Sequence, residues 1–375
     1  MKIVIDEKIP FIKGALEPWA EVVYSPGSLI NHSMVADADA LIVRTRTRCD
    51  SQLLRGSKVR IIASATIGFD HLDTKWLEAE GIKWVNAPGC NSGSVMQYIV
   101  ASLFYLASKK SLDLRSLTLG VVGVGNVGSK VVKAATKLGM KVLQNDPPRK
   151  RLEGLKDFVP LDKVLAESDI LTLHVPLTSE GRDRTHYLIN GQNLAQLKKD
   201  CILINTSRGE VVDNTALRMA LEKNALGGSV LDVWEKEPEA DRKLIGLVDI
   251  ATPHIAGYSV DGKANATVTA VRQVCSWLNI PLNDWLPGAL PEPAEPVIDL
   301  NRYTDTNTPQ GMVSMAVKHT YPIEEDDQLF RNNPGKFEYL RDNYRNRREF
   351  SSFSVKIKDG ETARILSGLG FNLIQ

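Results

Sequence analysis

Three side chains that could transfer a proton or bind an anion follow predicted strands. Arg208 follows CILINTS, Glu237 ends SVLDVWEKE, and His254 follows DIATP. In an open sheet of alternating strands and helices, ligands bind beyond the carboxyl ends of the strands, so we expect the three to converge. An imidazole can accept a hydroxyl proton, a neighbouring carboxylate favours the imidazolium, and a guanidinium binds a carboxylate as a planar fork. Each residue alone could be an ordinary loop residue, but together they predict oxidation of a hydroxy acid with His254 as the base.

A glycine motif lies between a predicted strand and a predicted helix. Gly123, Gly125 and Gly128 form G-x-G-x-x-G after LTLGVV and before VGSKVVKAATKLG. The first glycine permits a tight turn, the second lets backbone N–H groups approach a pyrophosphate, and the third lets helix and strand pack closely. Asp146 ends the next strand, where its carboxylate can bind the adenosine ribose hydroxyls and repel a 2′-phosphate. The motif therefore predicts NAD as the cofactor, although the basic residues 149–151 could soften the rejection of NADP.

Two further predicted strands end in residues suited to a phosphate. Arg44, Thr45 and Arg46 follow ALIV, and Thr66 follows IIASA. By the strand-end rule they face the cleft between domains, so we expect them to bind a phosphate at the end of the substrate opposite its carboxylate. Because alternate side chains of an extended chain point to opposite sides, only one of the two arginines could reach the ligand.

Strands and helices alternate along most of the chain, which is typical of parallel sheets. A first series of predicted strands covers 2–6, 40–44, 59–65 and 82–88, and a long helix is predicted over 94–107. A second series predicts a six-stranded doubly wound sheet, with strands at 117–123, 141–144, 170–173, 201–205, 229–233 and 249–252. A helix over 262–278 and a proline-rich linker follow, and beyond the linker we expect a third domain that ends as helix, strand, helix, strand.

The composition excludes several classes of partner. Lysine and arginine number 46 against 45 acidic residues, so we expect no nucleic-acid or membrane partner but a small-molecule substrate. The acidic residues at positions 6 and 7 follow the first apolar run too closely for a secretory signal, which predicts a cytoplasmic protein. The four cysteines are scattered without a C-x-x-C or a His-Cys cluster, so no metal site is predicted.

Several segments resemble the D-2-hydroxyacid dehydrogenase family: GVVGVGNVGSKV, INTSRGEVVDNTAL, VLDVWEKEP and TPHIAG. The resemblance implies that Arg208, Glu237 and His254 are catalytic and that Tyr258 contacts the substrate. It also implies a set of cofactor-binding residues, namely Gly123, Gly125, Asn126, Val127, Gly128, Asp146, Val175, Thr206, Ser207, Arg208, Asp232 (at the nicotinamide amide) and Gly257. Two positions depart from the family pattern: Gln97 stands where glutamate is usual, and Val175 replaces a threonine, which leaves only backbone contact there.

The resemblance implies an α/β architecture of three parts. A Rossmann-type NAD domain, 99–256, is inserted in a flavodoxin-like substrate-binding domain, 1–98 with 257–284, and 285–375 form a small α+β dimerisation domain. The final part, which most relatives lack, favours a subgroup of the family whose members oxidise a phosphorylated hydroxy acid and form homodimers. A 3-phosphoglycerate or glyoxylate type of dehydrogenase and a dinucleotide-sensing corepressor are the alternatives.

Within the final part, arginines at 341, 345 and 348 alternate with an apolar stripe at 337, 340 and 344. This spacing predicts an amphipathic helix at an interface. A nucleic-acid-binding patch is the alternative, but the interleaved acidic residues favour a salt-bridged face.

Overall fold

A computed structural model of the chain describes residues 1–154, 157–303 and 308–374. Its strands are Lys2–Asp6 (β1), Glu21–Ser25 (β2), Ala40–Val43 (β3), Ile61–Ser64 (β4), Lys83–Val85 (β5), Thr118–Val122 (β6), Lys141–Asn145 (β7), Ile170–Leu173 (β8), Ile202–Asn205 (β9), Gly228–Leu231 (β10), Ile250–Ala251 (β11), Val297–Asp299 (β12), Ser354–Lys356 (β13) and Asn372–Ile374 (β14). Its α-helices are His32–Val35 (α1), Ser51–Leu54 (α2), Thr74–Ala79 (α3), Ser92–Lys110 (α4), Asn126–Lys137 (α5), Pro147–Glu153 (α6), Leu161–Glu167 (α7), Gly191–Leu194 (α8), Asn214–Glu222 (α9), Arg242–Leu247 (α10), Val260–Leu278 (α11), Pro309–Thr320 (α12), Ile323–Asn332 (α13), Phe337–Asp342 (α14) and Gly360–Leu369 (α15).

The chain divides into two compact units. One comprises Met1–Asn91 with Ser259–Pro291, and the other comprises Ser92–Tyr258 with Glu292–Gln375. None of the helices in the described ranges combines the length and the apolar character that a membrane span requires.

The first unit is built on a parallel sheet with the strand order β2-β1-β3-β4-β5, which is the flavodoxin-like order. Its apolar side chains alternate between the two faces. Ile3, Ile5 and Ile42 pack with Val271 and Val274 of α11 on one face. The other face is covered by α1, α2 and α3. The apolar pattern of β2 is weaker, because only the last residue of this edge strand is buried. The sequence analysis did not predict β2.

The second unit contains a parallel sheet with the order β11-β10-β9-β8-β6-β7. Helices α4 and α5 pack on one face, and α7, α9 and α10 pack on the other. The predicted six-stranded doubly wound sheet is therefore confirmed. Strands β9, β10 and β11 are neighbours, so the residues that follow them lie at one edge of the sheet.

The C-terminal residues of the second unit form a parallel three-stranded sheet, β12-β13-β14. Side chains of α12 and α15 share a core with α4 and α5, and Phe330 and Phe337 join the core on the opposite face of the six-stranded sheet. The predicted final order of helix, strand, helix and strand is confirmed by α14, β13, α15 and β14.

The predicted amphipathic helix through residue 348 is wrong, because α14 ends at Asp342. Tyr344 leaves the helix so that its hydroxyl can donate to the buried carboxylate of Asp326 at 2.7 Å. Arg347 is buried and donates to the carbonyl of Ala256. These buried contacts outweigh the local helical pattern.

Candidate active site

His254 and Glu237 form a hydrogen-bonded pair. Nδ1 of His254 lies 2.7 Å from Oε2 of Glu237, whose other carboxylate oxygen accepts the N–H of Trp234 at 3.0 Å. Burial raises the pKa of the Glu237 carboxyl, whereas the hydrogen bond from His254 and the charge of its imidazolium form lower it. With the N–H of Trp234 and the charge of Arg341, they hold this pKa below its ordinary value. The ionised carboxylate makes Nδ1 the donor, which leaves Nε2 of His254 to accept a proton.

The loop that carries His254 is held by Asp232, which follows β10. His254 has a left-handed backbone with φ of 56°, and its N–H donates to the Asp232 carbonyl at 2.7 Å. The Asp232 carboxylate accepts the N–H groups of Ile255 at 2.8 Å and Ala256 at 2.9 Å. A left-handed residue other than glycine costs about 1–3 kcal/mol and persists only where its surroundings fix it. Asp232 thus anchors the loop that carries His254, and its contact with a nicotinamide amide stays a prediction.

A buried chain of hydroxyl groups supports Asp232. The Tyr98 hydroxyl lies 2.7 Å from Oγ1 of Thr252, and Thr252 donates to Oδ1 of Asp232 at 2.7 Å. The indole of Trp234 donates to the Thr252 carbonyl at 2.9 Å. Sequence reasoning gave none of these three residues a site role, because no spacing rule connects α4 with the end of β11. Burial raises the pKa of the Asp232 carboxyl, so these donors stabilise a carboxylate that is costly to ionise.

Arg208 follows β9 in a turn closed by Asn205. The Asn205 side chain accepts the N–H and the hydroxyl of Ser207 at 3.0 and 2.7 Å and donates to the Arg208 carbonyl at 2.9 Å. The Arg208 guanidinium is partly exposed and donates to the Ser207 carbonyl at 2.8 Å. Because β9, β10 and β11 are neighbours, Arg208, Glu237 and His254 all follow strand ends at one sheet edge, as their placement predicted.

The glycine loop leaves space where a pyrophosphate is expected. Gly123 has φ of 85° at the turn after β6, and a Cβ on Gly128 would lie 2.0 Å from the Gly123 carbonyl oxygen. A Cβ on Gly125 would meet nothing within 4 Å, and α5 begins at the next residue, Asn126. Open space beside a helix N-terminus suits a negatively charged phosphate, so this part of the chain fits a dinucleotide.

Asp146 makes two contacts that its predicted role did not include. It accepts the N–H of Val124, in the glycine loop, at 2.8 Å, and it caps α6 by accepting the N–H of Arg149 at 3.0 Å. The Arg149 guanidinium is engaged with the Val124 carbonyl and with Glu153. Asp146 therefore fixes the glycine loop, and its contact with a ribose stays a prediction.

Val175 and His174 border the same loop after β8. A Cβ on Gly123 would lie 2.7 Å from Cγ1 of Val175, so the valine packs closely against the turn. Nε2 of His174 lies 3.0 Å from Oγ1 of Thr172, and Nδ1 lies 3.5 Å from Oγ1 of Thr206. Burial lowers the pKa of His174 to about 3, which keeps its ring neutral.

The residues expected to bind a substrate phosphate lie at the carboxyl ends of β3 and β4, which pair in the first unit. Arg44 donates to the Lys8 carbonyl at 3.2 Å, and Thr45 and Arg46 are exposed. Thr66 donates to the Gly68 carbonyl at 3.0 Å. Two strand ends thus present two arginines and two threonines at the same edge of this sheet.

Tyr258, the other residue expected at the substrate, lies beside the C-terminal segment of the second unit. The Arg341 guanidinium lies 5.7 Å from the centre of the Tyr258 ring, and the Tyr344 ring packs edge-on against Tyr258 at 6.0 Å. Sequence reasoning placed Arg341 and Tyr344 on an interface helix and missed this contact.

The described residues contain no group of three or more His, Cys, Asp or Glu side chains arranged to hold a metal ion. Cys49, Cys201 and Cys275 are buried free thiols.

The chain is similar to known proteins over nearly its whole length. Residues 101–256 match the model of the D-isomer specific 2-hydroxyacid dehydrogenase NAD-binding domain, and residues 289–370 match a domain of unknown function, DUF3410. The erythronate-4-phosphate dehydrogenase of Bacteroides thetaiotaomicron is 46% identical, over 95% of this chain and 99% of the relative. The protein of the same name from Photorhabdus laumondii is 40% identical, over 99% of both chains.

Solved structures show the same fold. The D-lactate dehydrogenase of Aquifex aeolicus, complexed with NAD and lactic acid, is 28% identical with a TM-score of 0.62 and covers 76% of this chain and 97% of its own. The resemblance inferred from the motifs is confirmed. The chain belongs to the D-isomer specific 2-hydroxyacid dehydrogenases, with NAD as its cofactor, and within that family to the erythronate-4-phosphate dehydrogenases.

Proposed function

We propose that this chain oxidises 4-phospho-D-erythronate at C2 to 2-oxo-3-hydroxy-4-phosphobutanoate, with NAD as the oxidant, in the biosynthesis of pyridoxal 5′-phosphate. The observation that carries the proposal is the similarity to relatives named erythronate-4-phosphate dehydrogenase at 46% and 40% identity, over at least 95% of the chain. The paired His254 and Glu237 supply the base that such an oxidation needs.

In this mechanism the C2 hydroxyl gives its proton to Nε2 of His254. NAD, when bound, would supply the acceptor for the hydride that leaves C2. The Glu237 carboxylate, 2.7 Å from Nδ1, stabilises the imidazolium that forms and holds the ring in place. The Arg208 guanidinium binds the substrate carboxylate and stabilises the developing carbonyl oxygen.

The remaining residues of the proposed site bind the two ligands. The glycine loop would hold NAD together with Asp146, at the ribose, and with residues that follow the later strands: Val175, Thr206, Ser207, Arg208, Asp232 and Gly257. The phosphate of the substrate is bound by Thr45, Thr66, Tyr258 and one of the two arginines, Arg44 or Arg46. In this assignment 1–98 and 257–284 form the substrate-binding domain and 99–256 the NAD-binding domain.

The substrate assignment is tested by following NADH formation with four acids: 4-phospho-D-erythronate, D-erythronate, 3-phosphoglycerate and D-lactate. A charge-assisted hydrogen bond contributes about 1.5–3 kcal/mol, so D-erythronate should have a kcat/KM at least about tenfold lower than its phosphorylated form. Replacing Arg44 and Arg46 by alanine should remove most of that difference. Equal efficiency with both acids would reject the phosphate site, and a preference for 3-phosphoglycerate or D-lactate would move the assignment to another member of the family.

We further propose a cytoplasmic homodimer that assembles through residues 285–375. Exposed apolar side chains on the strands of the C-terminal sheet support this: Val297, Leu373 and Ile374 are 51%, 43% and 39% exposed. Sedimentation velocity should give a dimer for the native chain and a larger monomer fraction for Leu373→Lys. A monomeric native chain would contradict the proposal.

A further inference from the structure

A buried arginine of the C-terminal segment contacts the loop that carries His254. Arg347 is 3% exposed, and its Nη2 donates to the Ala256 carbonyl at 2.5 Å. The same nitrogen lies 3.5 Å from the carbonyl of Ser94, in the first turn of α4. The guanidinium also lies 4.3 Å from the centre of the Tyr321 ring. Among the described residues its hydrogen-bond acceptors are thus main-chain carbonyls.

The segment around Arg347 is fixed to α4 by two further contacts. Gln97 donates from Nε2 to the Arg348 carbonyl at 3.0 Å, and the Ser94 hydroxyl donates to the Glu349 carboxylate at 2.8 Å. The glutamate usual in the family at position 97 could not make the first contact when ionised, because a carboxylate only accepts hydrogen bonds. A Cβ on Gly93 would lie 2.1 Å from Oε2 of Glu349, so the segment lies directly on the helix. The position of Arg347 is therefore set by several independent contacts.

We propose that Arg347 is a positioning residue for His254. The inference rests on the dehydrogenase function proposed above and assigns a role to residues within the domain of unknown function. Arg347 acts through the main chain of the 254–257 loop, which it contacts at the carbonyl of Ala256.

The physical basis is a clamp with opposite charges on the two sides of one loop. The Asp232 carboxylate accepts the N–H groups of Ile255 and Ala256, and the Arg347 guanidinium donates to the carbonyl of Ala256. Charge-assisted hydrogen bonds are roughly twice as strong as neutral ones. The hydrogen bonds of Asp232 and Arg347 therefore hold His254 in its left-handed backbone conformation. That conformation keeps the imidazole in hydrogen-bonding distance of Glu237.

Because Arg347 is buried, its hydrogen bond to Ala256 can be removed while its volume is kept, which separates positioning from packing. Removing a guanidinium from water is costly, and an apolar residue of similar size in its place is often neutral or stabilising. Arg347→Met should therefore keep the volume and remove the contact with Ala256. The matched control is Arg345→Met, two residues earlier, because Arg345 pairs with Glu325 and Asp326 within the C-terminal residues. That control weakens the same segment and leaves the 254–257 loop untouched.

The test is a double-mutant cycle on the full-length enzyme with His254→Asn. A misplacement of about 1 Å can cost on the order of 100-fold in rate, so Arg347→Met should lower kcat by about 10- to 100-fold. In the His254→Asn background the same substitution should change kcat less than about twofold, because the group that it positions is gone. Arg345→Met should keep kcat within about threefold in the folded protein. Arg347→Lys should retain part of the activity, because an ammonium can still donate to the Ala256 carbonyl.

Two kinetic results would overturn the proposal. One is native kcat in Arg347→Met, and the other is an equal loss of kcat with and without His254, which would indicate general damage to the fold. If Arg347→Met does not fold, the cycle is run with Arg347→Lys under the same criteria.

Amide hydrogen exchange provides a readout that needs no substrate. Exchange at Ile255 and Ala256 should accelerate at least about tenfold in the Arg347 variant and stay native in Arg345→Met. Unchanged exchange in the Arg347 variant would reject the clamp even if the enzyme oxidises 4-phospho-D-erythronate. If the native enzyme prefers another hydroxy acid, the substrate assignment fails and the cycle is run with that acid.

Discussion

Adding one methyl group to either of two glycines in the nucleotide loop should separate the packing of the fold from the binding of NAD. A Cβ on Gly128 would lie 2.0 Å from the carbonyl oxygen of Gly123, whereas a Cβ on Gly125 would meet nothing within 4 Å. Both positions have a negative φ, so alanine is not strained by a left-handed backbone. The difference between the two variants therefore comes from the surroundings of the methyl group.

The expected magnitudes follow from these contacts. In Gly128→Ala the Gly123 carbonyl must retreat by about 1.4 Å to reach the ordinary contact distance of 3.4 Å. Overpacking of this kind costs about 1–3 kcal/mol, and each kcal/mol lowers the Tm of a unit of this size by about 2–4 °C. Gly128→Ala should thus lower Tm by about 2–12 °C. Gly125→Ala should stay within about 2 °C of native and should weaken NAD binding by about 10- to 150-fold if the methyl displaces one charge-assisted hydrogen bond to the pyrophosphate.

The assays are calorimetric melting without ligand and a fluorescence titration with NAD. Gly246→Ala is the control, because its Cβ also meets nothing within 4 Å and it lies in α10, away from the loop. That variant should leave the Kd for NAD unchanged and should raise Tm by at most about 4 °C, because alanine is about 0.5–1 kcal/mol more favourable than glycine within a helix. A native Kd in Gly125→Ala would refute the placement of the pyrophosphate at this glycine. A native Tm in Gly128→Ala would refute the packing argument.

Three further outcomes are expected. His254→Asn should lower kcat by about 10²- to 10⁴-fold and leave the Kd for NAD nearly unchanged, since proton transfer is lost and binding is not; near-native turnover would remove His254 from the mechanism. Asp146→Ala should weaken NAD binding and raise the ratio of NADP to NAD efficiency; an unchanged ratio would contradict the ribose assignment. Because burial lowers the pKa of His174 from 6.5 to about 3, the unfolded chain binds one more proton within that window. The free energy of unfolding should therefore decrease as the pH is lowered from 6.5 to 3, by at most about 1.4 kcal/mol per pH unit. Chemical denaturation of His174→Asn should lack this slope.

The sequence predicts the sheets well because most of their strands are buried runs. All four residues of β3, β4, β8, β9 and β10 are buried, so each strand stands out as a short apolar segment between polar ones. The pairing of His254 with Glu237 was also predictable, because both residues follow adjacent strands of an open sheet.

The missed features depend on contacts between distant parts of the chain. The periodicity over 337–348 fits a helix, but Tyr344 bonds to Asp326 and Arg347 bonds to Ala256, 91 positions earlier. No local pattern reports such partners. Similarly, the contact of Asp146 with Val124 depends on how β7 ends beside the glycine loop, which spacing alone does not describe.

The first unit cannot finish folding until the ribosome has also made the six-stranded sheet, because α11, which packs on the first unit, comes after that sheet in the sequence. Its last strand, β5, ends at Val85, whereas α11, which covers one face of the sheet, ends at Leu278. At about 5–20 residues per second, synthesis of the intervening chain takes on the order of 10–40 s. Throughout that time Ile3, Ile5 and Ile42 of the nascent sheet lack the helix that buries them, so these side chains form an apolar surface that a chaperone could bind for a defined period.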